Sequence, residues 1–281
     1  MSERFNLRAS RPPPDLLDIV STFWELQPKD LHSEAHFLPT QMFPSLTGRI
    51  RFVIRGNSAE ALVYGPSSSS KRKGLYFSDA ISFGATLTPL GLSRLFGAHA
   101  PDLCSSRVKG GVMAEHLFHE IEERIAAATS FEARKAVLIS FLRSVRQPES
   151  CGGLLDAAIT ELQVQDTANP VEEVSVALGV SRRTLHRQFL QHLGVRPKTA
   201  ARIVRVQRSL KALVGATLPT ASTHTFADQS HFIREFKDMI GITPGQFRLN
   251  LPGLADVDLP IWQDLNPSTY EKGYPDFRHY G

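Results

Sequence analysis

Between Asn169 and Phe189 two short helices are punctuated so tightly that few folds can accommodate them. Asn169 is a good N-cap, and Pro170 suits the first helical position, where its missing N–H forfeits no hydrogen bond. Glu172 stands three residues past the cap, and Glu172 and Glu173 both favour the positive end of the helix. Val171, Val174, Ala177 and Leu178 supply the apolar positions, and Gly179 ends the helix as the residue that turns left-handed most cheaply. Ser181 then caps a second helix running from Arg182 to about Leu190, in which Leu185 and Phe189 stand four apart and face the first. Two short helices joined by a tight glycine turn form a helix-turn-helix. Arg182, Arg183, His186 and Arg187 are left on the exposed side near the N-terminal end, which a recognition helix presents to base edges. Arginine is the commonest reader of guanine.

The charge distribution agrees. From Val174 to Ala227 there is no Asp or Glu, while the same stretch holds nine Lys and Arg, from Arg182 to Lys211. A basic block confined to one segment suits a polyanionic partner, although solvated basic faces are also common. Residues 251–281 lean the other way, with five acids against Lys272 and Arg278.

A long helix is expected from Pro197 to about Leu213, with Ile203, Val206 or Gln207, and Leu210 on one side. A second unit follows Gly215: Asp228 is placed to cap Gln229–Lys237, where Phe232 and Phe236 are again four apart, and the unit closes through Gly241-Ile242-Thr243-Pro244 to Arg248.

The run Leu178-Gly179-Val180-Ser181-Arg182-Arg183-Thr184-Leu185-His186-Arg187-Gln188-Phe189, with Gly194-Val195-Arg196-Pro197-Lys198, Phe226-Ala227-Asp228-Gln229-Ser230-His231-Phe232-Ile233-Arg234-Glu235-Phe236-Lys237 and Gly241-Ile242-Thr243-Pro244, resembles the AraC/XylS family of transcription activators. The resemblance covers about 95 of the 281 residues. It implies a seven-helix DNA-binding domain of two helix-turn-helix units joined by a long helix, with recognition helices over about 181–192 and 228–240. The family's base-facing positions fall on Arg183, His186 and Arg187 in the first unit and on Gln229, Ser230 and Arg234 in the second. Arg182 is either a base or a phosphate contact. Ser175 stands where the family usually has Ala, Thr217 and Thr220 where it has aliphatics, and Thr225 where it has Gly. With Pro219 these weaken the leading helix of the second unit, so the first unit is expected to dominate.

The expected class is α+β in three parts: a β-rich sensing or dimerisation domain over 1–150, the DNA-binding domain over 155–250 and an irregular tail over 251–281. Strands are legible at Ile50–Ile54, Ala61–Tyr64 and Leu75–Phe77, within a strand-like stretch from about 36 to 90, and residues 1–14 read as an irregular lead-in. Gly65–Gly74 reads as a hairpin loop, and 147–153 as the break between domains. Met113, Leu117, Ile121 and Ile125 mark one helix stripe, and Thr129 with Glu132 a capping box for the next helix, to about Val145. Trp24, Gly65 and the Gly84–Gly97 stretch loosely resemble the small sensing modules found ahead of such DNA-binding domains.

An enzyme is not expected. Cys104 and Cys151 form no C-x-x-C pair and cannot build the four-cysteine zinc site of the methyl-transfer proteins that carry this DNA-binding domain. His116, His119 and Glu120, with Glu123 one turn on, could hold a metal but read better as a solvated helix face. No nucleophile-elbow, P-loop or dinucleotide motif is present. No metal or cofactor is expected. The expected partner is double-stranded DNA, and RNA polymerase, a small-molecule effector and a second copy of the chain are compatible with the resemblance. A helical interaction protein that has lost DNA binding, or a metal- or cysteine-dependent enzyme fused to a DNA-binding domain, are the alternatives. The N-terminus lacks a signal-peptide core and no apolar run is long enough to span a bilayer, so a cytoplasmic location is expected.

Overall fold

The computed structural model describes residues 5–29, 37–41, 43–68, 73–97, 101–147, 153–164, 167–215 and 229–249. The strands among them are β1 (Phe5–Ser10), β2 (Val20–Pro28), β3 (Phe37–Gln41), β4 (Arg49–Arg55), β5 (Ser58–Tyr64), β6 (Lys73–Phe77), β7 (Ile81–Leu87) and β8 (Arg107–Lys109). Six of these make one antiparallel sheet in the order β1-β2-β7-β4-β5-β8, and β3 pairs with β6 in a separate two-stranded sheet.

Because strand side chains alternate, the register sorts the large sheet into two faces. Phe23, Ala85, Ile50 and Val63 stand in one row across β2, β7, β4 and β5. They pack under helices α1 (Gly91–Phe96), α2 (Gly110–Ala127) and α3 (Phe131–Val145) with Phe118, Ile121, Ile125, Leu138 and Leu142. One ion pair is sunk in this layer: Arg134 of α3 donates to Glu25 of β2 at 2.6 Å, and both residues are buried.

The remaining helices are α4 (Gly153–Val164), α5 (Pro170–Ala177), α6 (Arg182–Leu193), α7 (Pro197–Gly215), α8 (Gln229–Ile240) and α9 (Pro244–Leu249). Their shared core holds Leu155, Val174, Leu185, Phe189, Ile203, Val206, Leu210, Phe236 and Phe247. Phe43, Leu46 and Leu90 from the sheet-bearing half join the same core, and the Phe43 ring meets Phe247 edge-on at 5.7 Å. The two halves therefore share buried apolar surface.

Several local expectations need correcting. Residues 5–10 are a strand, paired with β2, and not an irregular lead-in. Phe5, Leu7 and Ala9 do alternate, but the partner that makes them a strand lies beyond the Pro12-Pro13-Pro14 break. Among the described side chains of α2, Phe118, Ile121 and Ile125 are buried whereas Leu117 is exposed, and that of Met113 lies outside those described. Four-residue steps drift off a 3.6-residue face, and the 118, 121, 125 set follows it more closely. The cap of α3 is Ser130, which accepts from the Ala133 N–H at 3.2 Å, one residue after the expected Thr129. The tail 251–281, the second unit's leading segment 216–228 and the loop tip 69–72 lie outside the described residues.

Candidate nucleic-acid interface

The first unit is assembled largely by its own backbone. Pro170 opens α5, and the Asn169 carbonyl accepts from the Glu172 N–H at 3.0 Å. The Asn169 side chain makes no cap bond; Thr167 Oγ1 instead accepts from the Asn169 N–H at 3.1 Å and bonds the Glu173 carboxylate. At the far end Gly179 sits at φ 63°, as the glycine turn requires. Ser175, where an alanine was the family expectation, is buried, and its hydroxyl donates to the Val180 carbonyl. That bond satisfies a carbonyl in the turn itself. Ala177, expected on the apolar face, is exposed; Val174 and Ser175 take the inward positions.

Ser181 caps α6 by accepting from the Thr184 N–H at 3.1 Å. Leu185 and Phe189 are each 1% exposed, which sets the rotation of the helix about its axis. Arg183, His186 and Arg187 consequently face solvent. Arg182 is also exposed and pairs with Glu172 of α5 at 3.0 Å.

The second unit is held by charge as well as by packing. Phe232 and Phe236 bury one side of α8, and Phe236 stacks edge-on with Phe247 at 5.8 Å. Glu235, 7% exposed, accepts from Arg202 Nε at 2.9 Å and from Arg205 at 3.2 Å, and Arg202 also reaches Asp238 at 3.0 Å. Partial burial and the two acids act on Arg202 in opposite senses, and its pKa is raised. These pairs fix α8 against α7. Ser230 and Arg234 are left exposed; Gln229 opens the same helix.

The two units come together at an open cleft of about 1080 Å³. Asn169 and Arg182 line it from the first unit, Lys198 and Arg202 from α7, and Arg234 and Glu235 from α8. One cation expected to touch DNA from each unit therefore borders a single concavity.

Sequence alone missed which cations are engaged internally. Arg202 and Arg205 are paired as above, and Arg208 donates to the Leu162 carbonyl at 2.9 Å. The signal lay in Glu235 and Asp238, one turn apart on the far helix.

Residues 174–250 match the family model of a helix-turn-helix domain. The C-terminal domain is an AraC/XylS-type helix-turn-helix domain. Two curated relatives of this domain, each named HTH-type transcriptional regulator GbdR, come from Pseudomonas aeruginosa strains UCBPP-PA14 and PAO1. They are 30% identical over 112 residues, which is 38% of this chain and 30% of theirs, so the chain spans under a third of their length. Among solved structures, ToxT from Vibrio cholerae aligns over 88% of this chain and 98% of its own at 13% identity and a TM-score of 0.41. ToxT bound to (E)-4-(8-methylnaphthalen-1-yl)but-3-enoic acid aligns over the same shares at 12% identity and a TM-score of 0.43.

The AraC/XylS-type domain does not stand apart from the sheet-bearing half. Its α6 ends on that half: His192 Nδ1 lies 2.9 Å from Ser93 Oγ of α1. Asp156 of α4 pairs with Arg94 of the same helix, and Gln207 of α7 donates to the Pro44 carbonyl at 3.1 Å. Among the described residues no group of three or more His, Cys, Asp or Glu is placed to hold a metal, and no helix is long and apolar enough to cross a membrane.

Proposed function

We propose that this protein is a sequence-specific transcription regulator that reads the major groove of double-stranded DNA through α6 and α8. The observation that carries the reading is the rotation of α6: Leu185 and Phe189 are buried while Arg183, His186 and Arg187 face solvent together. Arginine and histidine on the open face of a recognition helix match the acceptor-rich edges of the groove. Gln229, Ser230 and Arg234 supply the second contact, with Arg182 at the cleft that both units border. Adjacent groove segments on one side of the duplex are about 34 Å apart, and α7, with 19 residues, spans about 28 Å between the units.

The sheet-bearing half is the regulatory element of this reading, because it packs on the C-terminal end of α6. In that role the protein acts in the cytoplasm by binding and not by catalysis. RNA polymerase and a second copy of the chain are its further partners. Selection of bound sites from a random DNA pool with the full chain tests the proposal. A defined motif of two half-sites is expected, and recovery of no sequence preference would overturn it.

A further inference from the structure

Helices α6 and α8 are tied to the sheet-bearing half by different segments. The C-terminal end of α6 meets Ser93 of α1, and Gly194 behind it lies against Pro101 and Cys104. The second unit instead meets residues 43–46, which lie between β3 and β4. Phe43 and Leu46 are 1% and 3% exposed, and both belong to the core of the C-terminal helices. Between them, the Pro44 carbonyl accepts from Gln207 of α7 at 3.1 Å. This short segment is itself anchored to the half it comes from. Ser45 and Ser67, both buried, exchange two backbone hydrogen bonds of 2.8 Å. Ser45 Oγ accepts from the Thr47 N–H at 3.1 Å and bonds the Thr47 hydroxyl at 2.7 Å.

From Phe43 a series of rings leads into α8. Phe43 meets Phe247 of α9 at 5.7 Å, Phe247 meets Phe236 of α8 at 5.8 Å, and Phe236 meets Phe232 at 5.7 Å. All three pairs are edge-to-face, the arrangement that aromatic rings favour. Phe236 and Phe247 are fully buried, so close packing holds each ring where its neighbours put it. Phe232 and Phe236 lie four apart on α8, and their burial turns Ser230 and Arg234 outward. Glu235 fixes the same helix to α7 through Arg202 and Arg205. The polar pairs thus hold α8 to its own domain, whereas the rings connect it to a residue of the other half.

We infer that Phe43 is a positioning residue for DNA contact by the second unit: supplied by the sheet-bearing half, it seats α9 through Phe247 and, by way of Phe236 and Phe232, sets the rotation of α8. Because α6 is seated by a separate contact, the two units answer to different segments of the sheet-bearing half. The inference deepens the proposed reading of DNA through α8 and rests on that reading for its consequence at DNA, not for the packing.

The test compares the full-length protein with Phe43→Leu, which keeps most of the apolar bulk and loses the ring edge, and with Phe43→Ala, which leaves a cavity. Phe43→Leu decides the matter if Phe43→Ala does not fold. Amide hydrogen exchange is followed by mass spectrometry without DNA. Exchange over 229–249 is expected to accelerate about fivefold or more, and exchange over 182–193 to stay within about twofold of the parent. Footprinting then uses a site selected with the full chain. Protection should weaken over the half-site that Arg234→Ala also weakens, and persist over the half-site that depends on Arg183. A general loss of stability would instead loosen both helices and weaken both half-sites together. Equal acceleration in α6 and α8, no acceleration in either variant, or a loosened α8 with both half-sites protected as in the parent would overturn the inference. Should the parent select no DNA sequence, the proposed function fails, and the exchange pattern alone decides whether Phe43 seats α8.

Discussion

Ser93 Oγ and His192 Nδ1 meet at 2.9 Å, joining the sheet-bearing half to the last turn of α6. Both residues are buried, and burial holds the His192 pKa below its ordinary value. The imidazole is therefore neutral in the folded protein over a range where the unfolded chain, titrating near about 6.5, begins to take up a proton. Between those two values the unfolded state binds more protons, so stability rises with pH. The contribution is complete above about pH 6.5 and is lost as the pH falls through the lower folded value. Thermal unfolding followed from pH 7.5 to pH 5 should show this loss, and His192→Gln should flatten it.

Gly194 provides a second hold on the same helix end. It sits at φ 65°, and an added Cβ would lie 2.7 Å from both Cys104 Cβ and the Pro101 carbonyl oxygen. Gly194→Ala meets a backbone conformation unfavourable to alanine and a neighbour that is main chain. A loss of roughly 2–3 kcal/mol is expected in chemical denaturation. A change of under about 0.5 kcal/mol would mean that α6 does not press on the 101–104 turn in solution.

Glu235 should matter more than its surroundings suggest. Glu235→Gln leaves Arg202 and Arg205 facing a neutral group at a partly buried site, at roughly 2 kcal/mol of stability after allowing for the exposure of Arg202. Because the pairs orient α8, affinity for the selected DNA site should fall as well, with the loss concentrated in the half-site read by the second unit. Footprinting of the variant separates the two half-sites.

Salt dependence follows from the count of free cations. Arg202, Arg205 and Arg208 are engaged inside the domain, and Arg182 holds Glu172. Of the exposed cations without an ion pair among the described residues, Arg183, Arg187, Arg196, Lys198 and Arg234 lie on the recognition face, at the start of α7 or at the cleft, and Lys237 near the far end of α8 is set aside. If these five meet phosphate or base, log K should fall against log salt with a slope between about −4 and −5. A slope near zero would count against DNA as the partner.

The first unit was legible in the sequence because each of its signals is local. Pro170, Gly179 and Ser181 act within one turn of themselves, and the spacing of Leu185 and Phe189 alone orients α6. What the sequence hid was contact at a distance. The stretch from Val174 to Ala227 is free of acids along the chain but not in space, since Glu235 and Asp238 fold back onto Arg202 and Arg205. The strand β1 was hidden for a similar reason, because six residues with modest alternation become a strand only through a partner across a proline run. The Ser93–His192 contact joins residues 99 apart, and no periodicity marks either one. The expected weakness of the second unit rested on Thr217, Pro219, Thr220 and Thr225, which lie outside the described residues; what is described of α8 shows a helix firmly braced against α7.

The central claim is that the exposed side of α6 reads bases. Fluorescence anisotropy on one site selected with the full chain, at fixed salt, compares the parent protein with Arg183→Ala and Arg187→Ala. Each variant should lose about 1–3 kcal/mol of binding free energy and relax its preference at particular base pairs, with folding intact because both side chains are exposed. Variants that fold and bind the selected site with unchanged affinity and unchanged base preference would contradict the claim.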